Sequence, residues 1–310
     1  MRFAVFCKSY RNDLERCAQL VNSHERLVRD KTPFVVCTPR SDTALFKARI
    51  GADRATFLTD EDLLGGKARQ SWKTQQLVKL RAWRGDFADA WLWVDSDSYF
   101  IRPFSRDDFV RRDGSVALPV ARGVHVLDDR WDEILRYVSD RAAIERVDES
   151  ALRPAHARKP LSRIPWWQRL HDRLGRVPFS AREPRISRFF GRDGASLHFL
   201  PGAVWTVDSL RSFEREVLDP CAVTLEELLE HAPWEGTWLG EWELYRGAPG
   251  RHLVESCILH IRSDSVIVRA RREGVTEARL ARRYIGIQLA AGHQDLTRLD
   301  TPSAAHTSGP

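Results

Sequence analysis

The chain has 310 residues, 43% of them hydrophobic and 30% charged, enough apolar material for a sizeable core and too much for an intrinsically disordered chain. Its 49 Lys and Arg against 43 Asp and Glu leave a net charge of +6 that is not spread evenly along the chain. No apolar run approaches the roughly 20 residues that cross a bilayer, and the opening stretch turns polar at Lys8, too early for a secretory leader, so the expectation is a cytoplasmic protein.

In chain order, Phe3 to Cys7 reads as a short buried strand. Asn12 or Asp13 then caps a helix whose apolar positions Leu14, Cys17, Leu20, Val21, Leu27 and Val28 recur at helical spacing. Phe34 to Cys37 is a second strand, a short helix opens at Ser41 or Asp42 and ends near Gly51, and Ala55 to Leu58 is a third strand. Trp72 to Trp83 reads as a helix, and Ala90 to Val94 as a fourth strand, uniformly apolar as in a strand covered on both faces. This alternation predicts an α/β fold with a largely parallel, doubly wound sheet. The five cysteines are odd in number and lack C-x-x-C spacing, which predicts reduced thiols rather than a disulfide framework.

Beyond about residue 144 the pattern loosens. Residues 153–192 carry eleven Lys or Arg against Asp172 and Glu183, a net of +9, interleaved with prolines, Trp166-Trp167 and Phe189-Phe190. Ordered elements resume with Leu197 to Leu200, helices at Ser209 to Leu218, Leu225 to His231 and around Trp238 to Tyr245, and an expected late hairpin of Cys257 to Ile261 with Val266 to Val268. The polar stretch 294–310 is expected to be disordered.

The most informative segment is Val94-Asp95-Ser96-Asp97, where a buried strand delivers two carboxylates at its carboxyl end. In extended geometry Asp95 and Asp97 face the same side, and ligands of doubly wound sheets bind at such strand ends. Adjacent anions want a cation, and hard oxygen ligands at this spacing suit Mg²⁺ or Mn²⁺. The plainer alternative is a turn cap beside a solvated aspartate. No glycine-rich dinucleotide fingerprint follows the first strand, and no Walker motif occurs.

The D-x-D after an apolar strand, preceded by three short βα units, resembles that of GT-A glycosyltransferases. More narrowly, the chain resembles a bacterial GT-A-like family through Gln75-Gln76-Leu77-Val78-Lys79-Leu80, Pro201-Gly202-Ala203-Val204-Trp205-Thr206 and Glu241-Trp242-Glu243-Leu244-Tyr245, over about residues 3 to 268. The resemblance implies one Rossmann-like GT-A sheet sandwiched by helices over residues 1–293. Within it a nucleotide-binding half would span about 1–125 and an acceptor half about 126–293, with a basic insertion at about 153–192. It further implies transfer of a sugar from a nucleotide-diphosphate donor to a glycan or lipid-linked acceptor, as in bacterial surface polysaccharide synthesis. A Mn²⁺ or Mg²⁺ ion on Asp95 and Asp97 would assist, with His260 as the expected third ligand or else an ordinary half-buried histidine. Trp242 stands where the family usually has Tyr.

On the same footing, Lys79, Gln76, Tyr10, Arg11, Asp95 and Ser96 are expected to contact the donor. Glu241 is expected to take the acceptor proton, with Asp208 as second choice unless it merely caps the next helix. Trp205 and Tyr245 are expected at the acceptor, although tryptophans here are also ordinary core material. The basic segment offers peripheral contact with the inner membrane face. Two other classes remain open. A haloacid-dehalogenase-like phosphatase also begins with D-x-D, but would want Thr or Val where Tyr99 stands. A purely basic binding module lacks any helix-turn-helix or zinc spacing to support it, and no nucleic-acid partner is expected.

Overall fold

The computed structural model describes residues 1–66, 71–120, 126–127, 183–192, 197, 199, 202–261 and 264–289. The tail at 294–310 and residues 153–182 of the basic segment lie outside the described residues.

The fold is α/β. Its principal sheet runs in the order β3 (Thr56–Thr59), β2 (Phe34–Thr38), β1 (Phe3–Lys8), β4 (Ala90–Asp95), β8 (Val204–Thr206). The first four strands are parallel, and β8 closes the edge antiparallel to β4, with Thr206 opposite Ala90 and Val204 opposite Leu92. Helices α1 (Leu14–Leu27), α2 (Arg40–Ile50), α3 (Asp60–Leu64) and α4 (Trp72–Leu80) fall between these strands, as the alternation predicts. The chain runs outward from β1 to β3 and then returns to place β4 on the other side of β1. The strand order therefore reverses between β1 and β4, which opens a crevice at their carboxyl ends.

Side-chain alternation divides the core into two. Phe3, Val5, Cys7, Ala90, Leu92 and Val94 pack on one face against Cys17, Leu20 and Val21 of α1 and Phe46 of α2. Ala4, Phe6, Trp91 and Trp93 pack on the other, with Trp205 and Trp238. Each fully buried tryptophan removes roughly 150–250 Å² from water, about 4–6 kcal/mol of transfer free energy before entropy is counted. Continuing the same alternation, Lys8 and Asp95 are register partners at the end of this second face. The sheet's tryptophan-rich side thus terminates in opposite charges.

Two further sheets depart from the expected single one. β5 (Ser98–Phe100), β11 (Gly286–Leu289), β10 (Ile258–Ile261) and β7 (Val126–Leu127) form a mixed sheet that starts just after Asp97, and β6 (Val116–Val120) pairs with β9 (Arg251–Glu255). Arg251, its side chain 2% exposed, joins the parts by donating to Ala117 O at 2.8 Å and to Ser209 Oγ at 2.9 Å.

Later helices are α5 (Glu183–Phe189), α6 (Val207–Phe213), α7 (Leu225–His231), α8 (Glu235–Tyr245) and α9 (Asp264–Arg272). Helix α6 runs on through a π turn at Glu214–Leu218. The expected hairpin is corrected by α9: Val266 and Val268 are helical. Val266, Ile267 and Ala270 are buried at helical spacing, and a three-residue apolar run does not by itself distinguish strand from helix. Among the described residues no helix is long and apolar enough to cross a membrane. All five cysteines are free, as expected.

Candidate active site

Asp95 ends β4, its side chain 32% exposed. Lys79 Nζ reaches its Oδ1 at 2.8 Å, and Gln288 Nε2 donates to its Oδ2 at 3.0 Å. Burial, the largest influence, pushes this carboxyl up, but Lys79 and Gln288 outweigh it and hold Asp95 below its ordinary value. The ammonium of Lys79 also lies 4.4 Å from the centroid of the Trp93 ring and 3.3 Å from Glu235 Oε1. It is a buried cation whose charge is retained by two carboxylates and an aromatic face.

Glu235 opens α8 and is 3% exposed; burial raises it above the usual carboxylate range, against the pull of Lys79. The Gln76 amide, oriented by its partners, donates to Glu235 Oε2 at 2.6 Å and accepts from Trp72 Nε1 at 2.9 Å. A continuous polar chain therefore runs Trp72, Gln76, Glu235, Lys79, Asp95, Gln288.

Asp97 is the unsatisfied member. Its Oδ1 is buried without a hydrogen-bond partner. Burial first and the charge of Asp95 second raise its carboxyl to about 7. A small open hollow beside it is walled by Arg16, Ser96, Ser98, Tyr99 and Leu289. Ser98 Oγ and Ser9 Oγ, at the ends of the neighbouring strands, also lack partners. Ser96, between the two aspartates, is 6% exposed and donates to Asp13 Oδ2 at 3.1 Å. Asp13 makes no side-chain capping bond to α1, and burial raises its carboxyl. An acid readable as a helix cap is thus diverted to pin the aspartate turn.

Other expected residues are distributed unevenly around this centre. His260 is half-buried on β10, in register with Gln288, which is itself opposite Ser98. Register partners share a sheet face, so Ser98, Gln288 and His260 form a row leading away from Asp95, and the His260 charge acts on Asp95. Tyr10 is half-buried within electrostatic range of Asp13 and Asp97. Arg11 points its charge to Asp42 at 3.4 Å, its own side chain 63% exposed.

Glu241, Asp208 and Trp205 lie away from this centre. Glu241 is 1% exposed and bound by Arg192 Nε at 2.8 Å and Ser187 Oγ at 2.6 Å. Six residues beyond Glu235, it lies about 9 Å farther along α8. Its carboxylate joins α5 to α8. Asp208 follows Thr206, which pairs with the first residue of β4, so it lies at the end of the strand opposite Asp95. There it is 68% exposed and paired with Arg246 at 2.7 Å, while Thr206 caps α6. Trp205 is 1% exposed within the core, where no sugar face can reach it. Tyr245 is half-buried and stacks with Trp242 at 5.8 Å between ring centroids.

Glu235, Gln288 and Asp13 belong to the centre and carry no motif. The polar Gln288 inside the buried strand Gly286–Leu289 was the available signal, since a buried polar group requires a partner. Among the described residues no three His, Cys, Asp or Glu side chains converge to hold an ion unaided. Mg²⁺ and Mn²⁺ sites, however, commonly use one or two carboxylates and complete the shell with waters and phosphate oxygens. The unpartnered Oδ1 of Asp97 beside Asp95 fits that arrangement.

Residues 4–139 match a family described as a family of unknown function, DUF6492. That span takes in β1 to β4 and both aspartates. No curated protein matches the chain.

Proposed function

We propose that this protein is a metal-dependent glycosyltransferase of GT-A type that moves a sugar from a nucleotide-diphosphate donor to a glycan or lipid-linked acceptor. The observation that carries the reading is the buried, unpartnered Oδ1 of Asp97 beside a lysine-braced Asp95, where the strand order reverses. Asp97 and Asp95 would hold Mn²⁺ or Mg²⁺, which when bound offsets the negative charge that builds on the departing diphosphate. Lys79 and Gln288 each fix one oxygen of Asp95, so its carboxylate cannot swing away. Asp13 holds Ser96 and with it the turn between the aspartates. Tyr10, half-buried after β1 and near Asp97, would contact the donor nucleotide. In the transfer, the bond from the anomeric carbon to the diphosphate oxygen breaks with its electron pair on that oxygen. The acceptor oxygen bonds the carbon, and its proton passes to the departing diphosphate oxygen or to solvent water.

A panel of nucleotide sugars, screened for thermal stabilisation with and without Mn²⁺, tests the reading. A donor present at about 100 times its Kd stabilises by roughly 2.7 kcal/mol, a shift of several degrees for a chain of this size. The shift should be larger with the ion, and Asp95→Asn combined with Asp97→Asn should remove that difference. If no nucleotide sugar shifts the transition under either condition, the reading is wrong.

A further inference from the structure

Among the described residues Trp72 is the exposed tryptophan, at 49%; Trp91, Trp93, Trp205, Trp238 and Trp242 are buried. Its ring is nevertheless held in place. Its Nε1 donates to the Gln76 carbonyl at 2.9 Å, and Gln76, 4% exposed, is fixed in turn by Glu235. Trp72, Gln76 and Lys79 lie at i, i+4 and i+7, one face of α4. The indole therefore stands where the polar chain ending at Asp95 meets solvent, about 10 Å along the helix axis from Lys79. Its polar edge is turned inward to Gln76. An aromatic surface that is both exposed and orientationally fixed binds the C–H face of a saturated ring without first losing rotamer freedom.

We infer that the Trp72 indole is a stacking platform for a hexose ring, seating a sugar at the rim of the Asp95–Asp97 crevice. The identity of the ring as a sugar rests on the glycosyl-transfer reading; the platform itself rests on the geometry of Trp72, Gln76 and Glu235. As the first residue of its helix and half exposed, Trp72 can be replaced without opening a core cavity. Ser71 caps α4 independently through Thr74 N at 3.0 Å.

The test follows the indole N–H signals of the full chain by NMR, the Trp72 signal being the one absent from Trp72→Phe. Titration with methyl glucoside and methyl mannoside at millimolar concentration should move the Trp72 signal in a saturable way, and open-chain sorbitol should not. In Trp72→Ala the weak hexoside affinity, read from the signals that accompany Trp72, should fall about threefold to tenfold, while Trp72→Phe retains most of it. Absence of a hexoside response at Trp72, or an equal response to sorbitol, overturns the inference whether or not nucleotides bind. A hexoside response at Trp72 with no response to any nucleoside diphosphate plus Mn²⁺ sustains the platform and counts against the transferase reading instead.

Discussion

Replacing Asp97 with Asn should stabilise the protein in a pH-dependent way, because the wild-type side chain is held where its charge is poorly solvated. Its carboxyl moves from an ordinary value of 3.8 to about 7 on folding. At 1.36 kcal/mol per unit this is an upper limit of about 4 kcal/mol; partial solvent access reduces it to roughly 2 kcal/mol. The sign follows from proton binding. Well below pH 3.8 the group is protonated in both states and costs nothing. Between pH 4 and 7 the unfolded chain gives up the proton and the folded one keeps it, so stability falls as pH rises, and above 7 the penalty is constant. Asn carries no such charge. Urea unfolding of wild type and Asp97→Asn at pH 4, 6 and 8 should therefore show an advantage for the variant that is about 0.5 kcal/mol at pH 4 and about 2 kcal/mol at pH 8. Mn²⁺ at millimolar concentration should narrow the gap by stabilising wild type alone, as a cation supplies the partner that Oδ1 lacks. An advantage independent of pH, or a variant less stable than wild type at pH 8, would show that Asp97 is not under electrostatic strain.

Two further outcomes test the charge arrangement of the core. Lys79→Met leaves Asp95 and Glu235 facing each other without a cation, so the urea midpoint should drop by the equivalent of about 3–5 kcal/mol, and adding Glu235→Gln should recover part of that loss. An unchanged midpoint would contradict the bracing role of Lys79. His24 is 4% exposed among Phe34, Phe100 and Phe104, with both ring nitrogens unpartnered, and burial lowers it to about 4. The unfolded chain takes up a proton below about pH 6.5 that the folded chain refuses, so stability is complete above 6.5 and drains by up to about 3 kcal/mol toward pH 4. His24→Phe should lose that slope in a pH series of denaturation curves; a retained slope would assign it to other groups.

The strand and helix order of the first hundred residues was legible because each strand is short, apolar and bounded by a turn or cap residue, and because parallel strands must be separated by crossovers. Asp95 and Asp97 stood out for the same reason: charge at the end of an otherwise apolar run. The second half was harder. Val266 to Val268 is too short to show a period, and β8 gains its place only by pairing with a strand more than a hundred residues earlier. Glu241 misleads because a carboxylate inside a tryptophan-rich helix suggests chemistry, yet burial beside Arg192 satisfies it as a structural pair. Trp205 misleads for the converse reason, since an aromatic suited to a sugar is equally suited to a core. Glu235 reads as an ordinary acid in a helix's first turn, and its contact with Lys79 arises from tertiary packing that no local pattern encodes.

The lateness of β8 also bears on how the chain is made. The Ala90–Asp95 strand is synthesised about 110 residues before the segment that covers its outer edge, which at translation rates of roughly 5–20 residues per second is a delay on the order of ten seconds. For that interval the nascent protein presents an unpaired β-edge flanked by Trp91 and Trp93, a template for sticking to other chains. Ribosome-associated chaperones have their natural work here, and a fragment ending near residue 139 should accumulate in the insoluble fraction when expressed alone.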